Sequence, residues 1–151
     1  MKISTRGQYG VRAMIELSRA FGAGPVSIKA IAEQQGLSHS YLEQLLAPLR
    51  RAGLVRSVRG PEGGYYLASA PEAITVGDVL RVLEGPLAPV ECVEDGEGGL
   101  CAQEAGCPAR RVWMMIRNAV TDVVDSVTLQ DLMSDEPFVD ERREHVGGAM
   151  G

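Results

Sequence analysis

Ser27 to Arg51 reads SIKAIAEQQGLSHSYLEQLLAPLRR, and two short helical patterns meet within it at Gly36. Ile28, Ile31 and Ala32 recur at helical spacing and share one face. Gly36 stands where a chain leaving a helix needs positive φ, a conformation that glycine adopts without a Cβ clash. Ser38 follows, placed so that its side-chain oxygen can accept from the orphan N–H groups of the next helix. That helix turns Leu42, Leu45, Leu46 and Leu49 inward. A small residue in the first helix, a glycine at the turn and leucines at these offsets let the two helices cross closely, which is a helix-turn-helix. Pro48 lacks an N–H and frees the carbonyl of Gln44, so a bend or early loosening is expected there.

The second helix has a distinct outer face. At about 100° per residue, Ser40, Gln44, Ala47 and Arg51 fall opposite the leucines, with Tyr41, Glu43 and Pro48 beside them. Hydroxyl, amide and guanidinium groups can read base edges or hold phosphates. The plainer reading is the solvated side of an amphipathic helix. Ser38, Ser40, Tyr41, Glu43, Gln44 and Arg51 are the DNA-binding candidates of this helix.

Beyond Gly53, residues 54–59 alternate apolar and polar, Gly60-Pro61-Glu62-Gly63-Gly64 follows, and Tyr65, Tyr66 and Leu67 resume an apolar run. Strand, glycine-rich turn and strand make a hairpin. Directly after a helix-turn-helix, such a hairpin is the wing of a winged helix. Arg59 sits at its tip among small residues, well placed for a narrow minor groove rather than serving as an ordinary surface arginine.

Upstream, Ser4 can cap a first helix reaching about Phe21, with Val11, Met14, Ile15, Ser18 and Phe21 inward and Lys2, Arg6 and Arg12 near its start able to touch phosphate. Downstream, Pro71 ends the wing, and Thr75 caps a short helix, Val76 to Glu84, that faces Val79, Leu80 and Leu83 inward.

The chain's net charge is −5, an unpromising sign for a DNA binder, but the charge is unevenly spread. Residues 1–75 hold nine Lys and Arg against five Asp and Glu, a balance of +4; residues 76–151 hold six against fifteen, a balance of −9. The first half can attract phosphate and the second would repel it. At 151 residues and 45% apolar content, the chain is long enough for one domain with an extension. No apolar run is long enough for a membrane span and no signal h-region opens the chain, so the cytoplasm is the expected compartment, with cysteines reduced. Two histidines, and neither a nucleophile–base spacing nor a phosphate-cradling motif, point away from an enzyme.

Residues 90–107, VECVEDGEGGLCAQEAGC, change character. They hold all three cysteines, Cys92, Cys101 and Cys107, together with Glu91, Glu94, Asp95, Glu97 and Glu104 and no basic residue. Such a loop is too acidic and glycine-rich to pack alone. A bound metal centre would offset the acidic repulsion and order the loop; three unconnected cysteines in a solvated loop is the plainer reading. On chemistry alone, three cysteines and a carboxylate rank structural zinc first. From Pro108 a long helix begins, with Val112, Ile116, Val120, Val123 and Val127 in one stripe, widened by Met115, Ala119 and Val124, and with Trp113 and Met114 off it. A helix apolar on more than one side needs more than one partner, and a second subunit is the natural one. Thr128 to Met133 makes a last short turn of helix, and the charged, then glycine-rich, tail is expected to fray.

MKISTRGQYGVRAMIEL, SYLEQL, SVRGPEGGYYL and ITVGDVLRVLEGP together resemble the Rrf2 family of bacterial winged-helix transcription regulators, from Met1 to about Met133. The resemblance implies a homodimer on a pseudo-palindromic double-stranded DNA operator, with the long helix crossing between subunits. It also implies an iron–sulfur cluster on Cys92, Cys101 and Cys107, [2Fe–2S] in preference to [4Fe–4S]. Two features depart from the iron–sulfur branch of that family: the cysteine spacing is wider, and Arg110 stands where a histidine ligand is expected. Arginine is a poor ligand, which leaves the fourth position to a loop carboxylate or to a three-cysteine [4Fe–4S] cluster. IELSRAFGAGP, LAPLRRAGLV, VLEGPLAPVE and DSVTLQDL resemble a second branch, cluster-free repressors of cysteine metabolism controlled by a protein partner.

The expected fold is therefore mainly α with a small β-hairpin. A winged helix-turn-helix domain (1–70; helix-turn-helix 27–51, wing 54–68) is followed by a linking helix (71–89), a cysteine-bearing loop (90–107), a dimerisation helix (108–134) and a flexible tail (135–151).

Overall fold

The computed structural model describes residues 1–94 and 106–136. Its elements run α1 (Thr5–Arg19), α2 (Ile28–Gln35), α3 (His39–Arg51), β1 (Val55–Val58), β2 (Gly64–Leu67), α4 (Val76–Glu84), α5 (Ala109–Ser126) and α6 (Leu129–Met133), with single 3-10 turns at Pro71–Ala73 and Glu91–Val93. This is the mainly helical, hairpin-bearing architecture that the sequence predicts.

Local signals set most helix starts. Ser4, Ser27 and Ser38 accept from the backbone N–H groups of Gly7, Ala30 and Tyr41. Thr75 with Asp78, and Thr128 with Asp131, form reciprocal capping boxes at the starts of α4 and α6. Gly36 ends α2 at φ 65°, the left-handed conformation its position demands. The α3 leucines, Leu42, Leu45, Leu46 and Leu49, are all fully buried against Met14, Leu17, Ile31 and Val79. Each such side chain contributes about 1.5–3 kcal/mol on leaving water.

Two features depart from the sequence expectation, and a third adds to it. First, α1 ends at Arg19 and Phe21 is exposed, because the buried stripe is Gly10, Ala13, Met14, Leu17 and Ser18. Second, α3 continues through Pro48 to Arg51: Leu49, buried in the core, holds the last turn, and Ala52 N donates to the Pro48 carbonyl at 3.0 Å. Third, Val26 pairs with Tyr65 through two 2.8 Å backbone bonds and so adds a third short edge to the hairpin.

The hairpin is antiparallel with Val55 opposite Leu67 and Val58 opposite Gly64. Only Val55 and Leu67, at its base, enter the core. α4 lies across α1, where the glycines of α1 make room: a Cβ on Gly10 would strike Leu83, and one on Gly7 would strike the Glu84 carboxylate. That carboxylate accepts from Ser4 N at 2.5 Å and Ser4 Oγ at 2.7 Å.

After α5 the chain returns to the domain. Val76 N donates to Val127 O and Leu129 N to Ile74 O, each at 2.9 Å, and Leu129 is fully buried. α5 thus leaves and rejoins the winged-helix body as an arm. Arg81 grips Asp125 at its base with two bonds of 2.7 Å. That bonding holds the Asp125 carboxyl below its ordinary range, against the opposing effect of partial burial.

No residue of α5 is fully buried. The apolar stripe read from the sequence divides in two. Ile116 and Val120, with Trp113 and Met114, are half-buried, whereas Val112, Met115, Ala119 and Val123 face solvent. The exposed set is itself a stripe at helical spacing, lying beside the one that packs inward.

Candidate nucleic-acid interface

The buried leucines fix which side of α3 faces out. Ser40, Glu43, Gln44 and Arg51 are exposed and Ala47 is half-buried. Ser38 is exposed too; its oxygen accepts from Tyr41 N at 3.1 Å, which leaves its hydroxyl hydrogen and one lone pair to face outward. Tyr41 is half-buried and meets the ring of Tyr9 edge to face, with centroids 6.2 Å apart at 87°. It therefore braces the first turn of α3 against α1.

The wing stands next to this face. Gly60 lies at φ 114° and its carbonyl accepts from Gly63 N at 3.0 Å, closing the tip beside exposed Arg59. A Cβ on Gly63 would strike the Val58 carbonyl, so the tip tolerates no side chain there. Arg50 joins wing to helix through a 3.2 Å bond from its Nη1 to Ser57 Oγ. Sequence periodicity does not single out Arg50, because its partner lies on a strand whose placement is tertiary. Arg56 is exposed in mid-strand opposite Tyr66, one more cation on the same hairpin. Ser40, Gln44, Arg51 and Arg59 thus offer donors and acceptors on two adjoining elements, one a helix of a size that enters a major groove and the other a narrow loop.

The described ends of the cysteine-bearing segment sit elsewhere, against α5. Cys92 is half-buried in the Glu91–Val93 turn, whose Val93 side chain is buried. Cys107 is half-buried just before α5. Arg110 lies between them: its backbone N donates to Cys107 O at 3.2 Å and its Nη2 to Cys92 O at 3.4 Å. Arg117, about two turns along the same helix, donates to Val93 O at 3.0 Å. Cys101, Asp95, Glu97 and Glu104 fall outside the described residues, as do residues 137–151. Among the described residues no three His, Cys, Asp or Glu side chains gather as a metal site, and no helix is long and apolar enough to cross a membrane.

Comparison with known proteins agrees with this architecture. Residues 3–135 match the family model described as "Rrf2: Iron-dependent Transcriptional regulator". The chain is 56% identical over 135 residues to the HTH-type transcriptional regulator CymR of Bacillus subtilis (strain 168), covering 89% of this chain and 91% of that one. Its structure is similar to that of CymR (YrzC), the global cysteine regulator of B. subtilis, with TM-score 0.74, 54% identity and coverage of 91% and 99%. It is also similar to that of T. potens IscR, with TM-score 0.69, 42% identity and coverage of 100% and 93%. The matched span takes in the helix-turn-helix, the wing and the α5 arm, and this chain belongs to the Rrf2 family of DNA-binding transcription regulators.

Proposed function

We propose that this chain acts as a homodimer that reads a pseudo-palindromic operator, with α3 in the major groove and the wing tip in the flanking minor groove. The observation that carries this is the division of α3: four leucines in the core and Ser40, Glu43, Gln44 and Arg51 outside it, beside Arg59 on a glycine-closed tip. Gln44 presents an amide suited to adenine, and Glu43 accepts from an exocyclic base amino group, most commonly that of cytosine, while repelling phosphate. Arg51 and the Ser38 and Ser40 hydroxyls serve phosphate or base edges, and Tyr41 sets the helix start. The exposed stripe Val112, Met115, Ala119 and Val123 is the dimer face, covered by its own copy across a twofold axis. Retardation of a selected duplex tests the docking: Arg59→Ala should weaken binding and leave the thermal melt unchanged. Undiminished retardation by both Arg59→Ala and Gln44→Ala would overturn it.

For control of binding, the reading adopted is an iron–sulfur cluster on Cys92, Cys101 and Cys107. It is supported by the cysteine set, by the iron dependence in the family description, and by the half-buried Cys92 and Cys107 that Arg110 ties together through hydrogen bonds. Three thiolates suit [2Fe–2S] or [4Fe–4S] chemistry, with [2Fe–2S] preferred, and the group would supply redox or ligand sensitivity. A second reading, a cluster-free regulator of cysteine metabolism governed by a protein partner, is favoured by the 56% identity to CymR. The side chain of Arg110, already bonded to the Cys92 carbonyl, is no nitrogen ligand and suits that reading as well. Anaerobically purified protein should be brown, with equimolar iron and sulfide. Colourless protein containing zinc, or no metal, would displace the cluster reading.

A further inference from the structure

Arg12 lies on α1, outside the helix-turn-helix, yet the structure fixes it next to the start of α3. Its guanidinium stacks over the Tyr9 ring, 5.3 Å from the centroid. The Tyr9 ring in turn meets Tyr41, in the first turn of α3, edge to face at 6.2 Å. Stacking engages the face of a guanidinium and leaves its in-plane N–H donors free to form a fork. Arg12 is exposed, and the two carboxylates that flank this part of α1 are engaged elsewhere: Glu84 with Ser4 at 2.5 and 2.7 Å, and Glu16 with Arg19 at 2.8 Å and Gln35 at 3.1 Å. Arg6 lies about 60° round the helix from Tyr9 on the other side, also exposed, and the first turn of α1 carries no acidic residue. A basic edge thus runs along α1 toward the recognition helix, and an aromatic pair holds it in register with that helix.

The geometry points to Arg12 as a clamp on an operator phosphate flanking the bases that α3 reads, with Tyr9 as the residue that positions it. The inference rests on the operator-binding reading. A stacked fork grips phosphate bidentately and carries no base information, so it sets where the helix lies without choosing the sequence. Tyr41 then has a double task. Its ring ties the start of α3 to α1, and through Tyr9 it ties α3 to the phosphate that α1 holds.

The test uses the full-length chain, a duplex selected from a random library and a scrambled duplex of equal length, each titrated across a range of salt concentrations. Arg12→Gln should reduce the slope of log K against log salt by about 0.9, the value for one phosphate contact. It should weaken binding to both duplexes by the same factor, as loss of a backbone contact does. Arg12→Lys should keep the slope but lose affinity, because charge survives and the stacked fork does not. Tyr9→Leu, checked for an intact fold by circular dichroism, should weaken both duplexes while retaining most of the slope. Arg19→Gln, at the far end of α1, should leave the slope unchanged. An unchanged slope in Arg12→Gln, or a loss confined to the selected duplex, would overturn the clamp and leave operator binding standing. Wild-type protein that enriched no duplex from the library would remove the operator reading and the clamp with it.

Discussion

Replacing Met115 with Glu probes the α5 arm at its most exposed apolar point. Met115 is 70% exposed in the single chain, and Val112 and Val123, on the same stripe, are 50% and 49% exposed. Full burial of such side chains contributes about 1.5–3 kcal/mol each, so the exposed fractions leave roughly 1–1.5 kcal/mol per side chain to be gained on association. Over three side chains and two copies, that is on the order of 6–9 kcal/mol of apolar driving force for a twofold contact. Met115→Glu removes about 2–3 kcal/mol of this from the pair and places two carboxylates in an apolar seam, which adds a desolvation cost. The dimer dissociation constant should rise at least about 100-fold, the equivalent of roughly 2.7 kcal/mol. Because Met115 makes no core contact in the single chain, the winged-helix body should keep its fold. Sedimentation equilibrium over a wide concentration range, with a circular dichroism melt as a folding control, reads both quantities. A folded Met115→Glu dimer with a dissociation constant within threefold of wild type would refute the assignment. Val120 is a poorer probe, since it is half-buried within one chain and a charge there would disturb folding and association together.

Glu43→Ala should widen the set of sequences recovered by selection, since it removes a carboxylate that rejects phosphate and most base edges; recovered sites identical to wild type would count against a filtering role. Gly10→Val should destabilise by about 1–3 kcal/mol in urea titration, because its side chain must displace Leu83 at the α1–α4 crossing. Asp125 has a depressed pKa in the folded chain, so the Arg81 contact stabilises above the ordinary carboxylate pKa of about 3.9 and is lost as pH falls through the lower folded value. Both partners are 39% exposed, so Asp125→Asn should cost no more than about 1 kcal/mol near neutral pH and nothing at the acid end. Equal destabilisation at both pH values would show that the charge is not what matters there.

The helix-turn-helix was legible in sequence because its signals are local. Ser38, Gly36 and the leucine spacing each act within a turn or two, and each decides the geometry there. The cap pairs Thr75–Asp78 and Thr128–Asp131 are of the same kind. What sequence could not reveal depends on what comes from far along the chain. Gly7 and Gly10 look like poor choices inside a helix until Glu84 and Leu83 arrive against them. No local signal marks Val26, which pairs with Tyr65, 39 positions away. Phe21 continues an apolar periodicity that the real core does not use. The candidate DNA face follows from the leucines, so it could be named in advance, but the Tyr9–Tyr41 contact and the Arg50–Ser57 bond that brace it could not. At the cysteine segment, sequence identified Arg110 as a missing ligand; its bond to the Cys92 carbonyl required the turn at Glu91–Val93 to fold back on α5.

Whether α3 reads a twofold operator is decided by selecting duplexes from a random library with wild-type protein and Gln44→Ala in parallel. Wild type should enrich two inverted half-sites whose centres lie one helical turn, or a multiple of it, apart. Gln44→Ala should recover the same two-half pattern with preference relaxed at one position in each half, at a cost of about 1–3 kcal/mol in affinity. An unpaired motif from wild type, or a Gln44→Ala motif identical to it at every position, would contradict the assignment of α3 as the helix that reads DNA in a twofold complex.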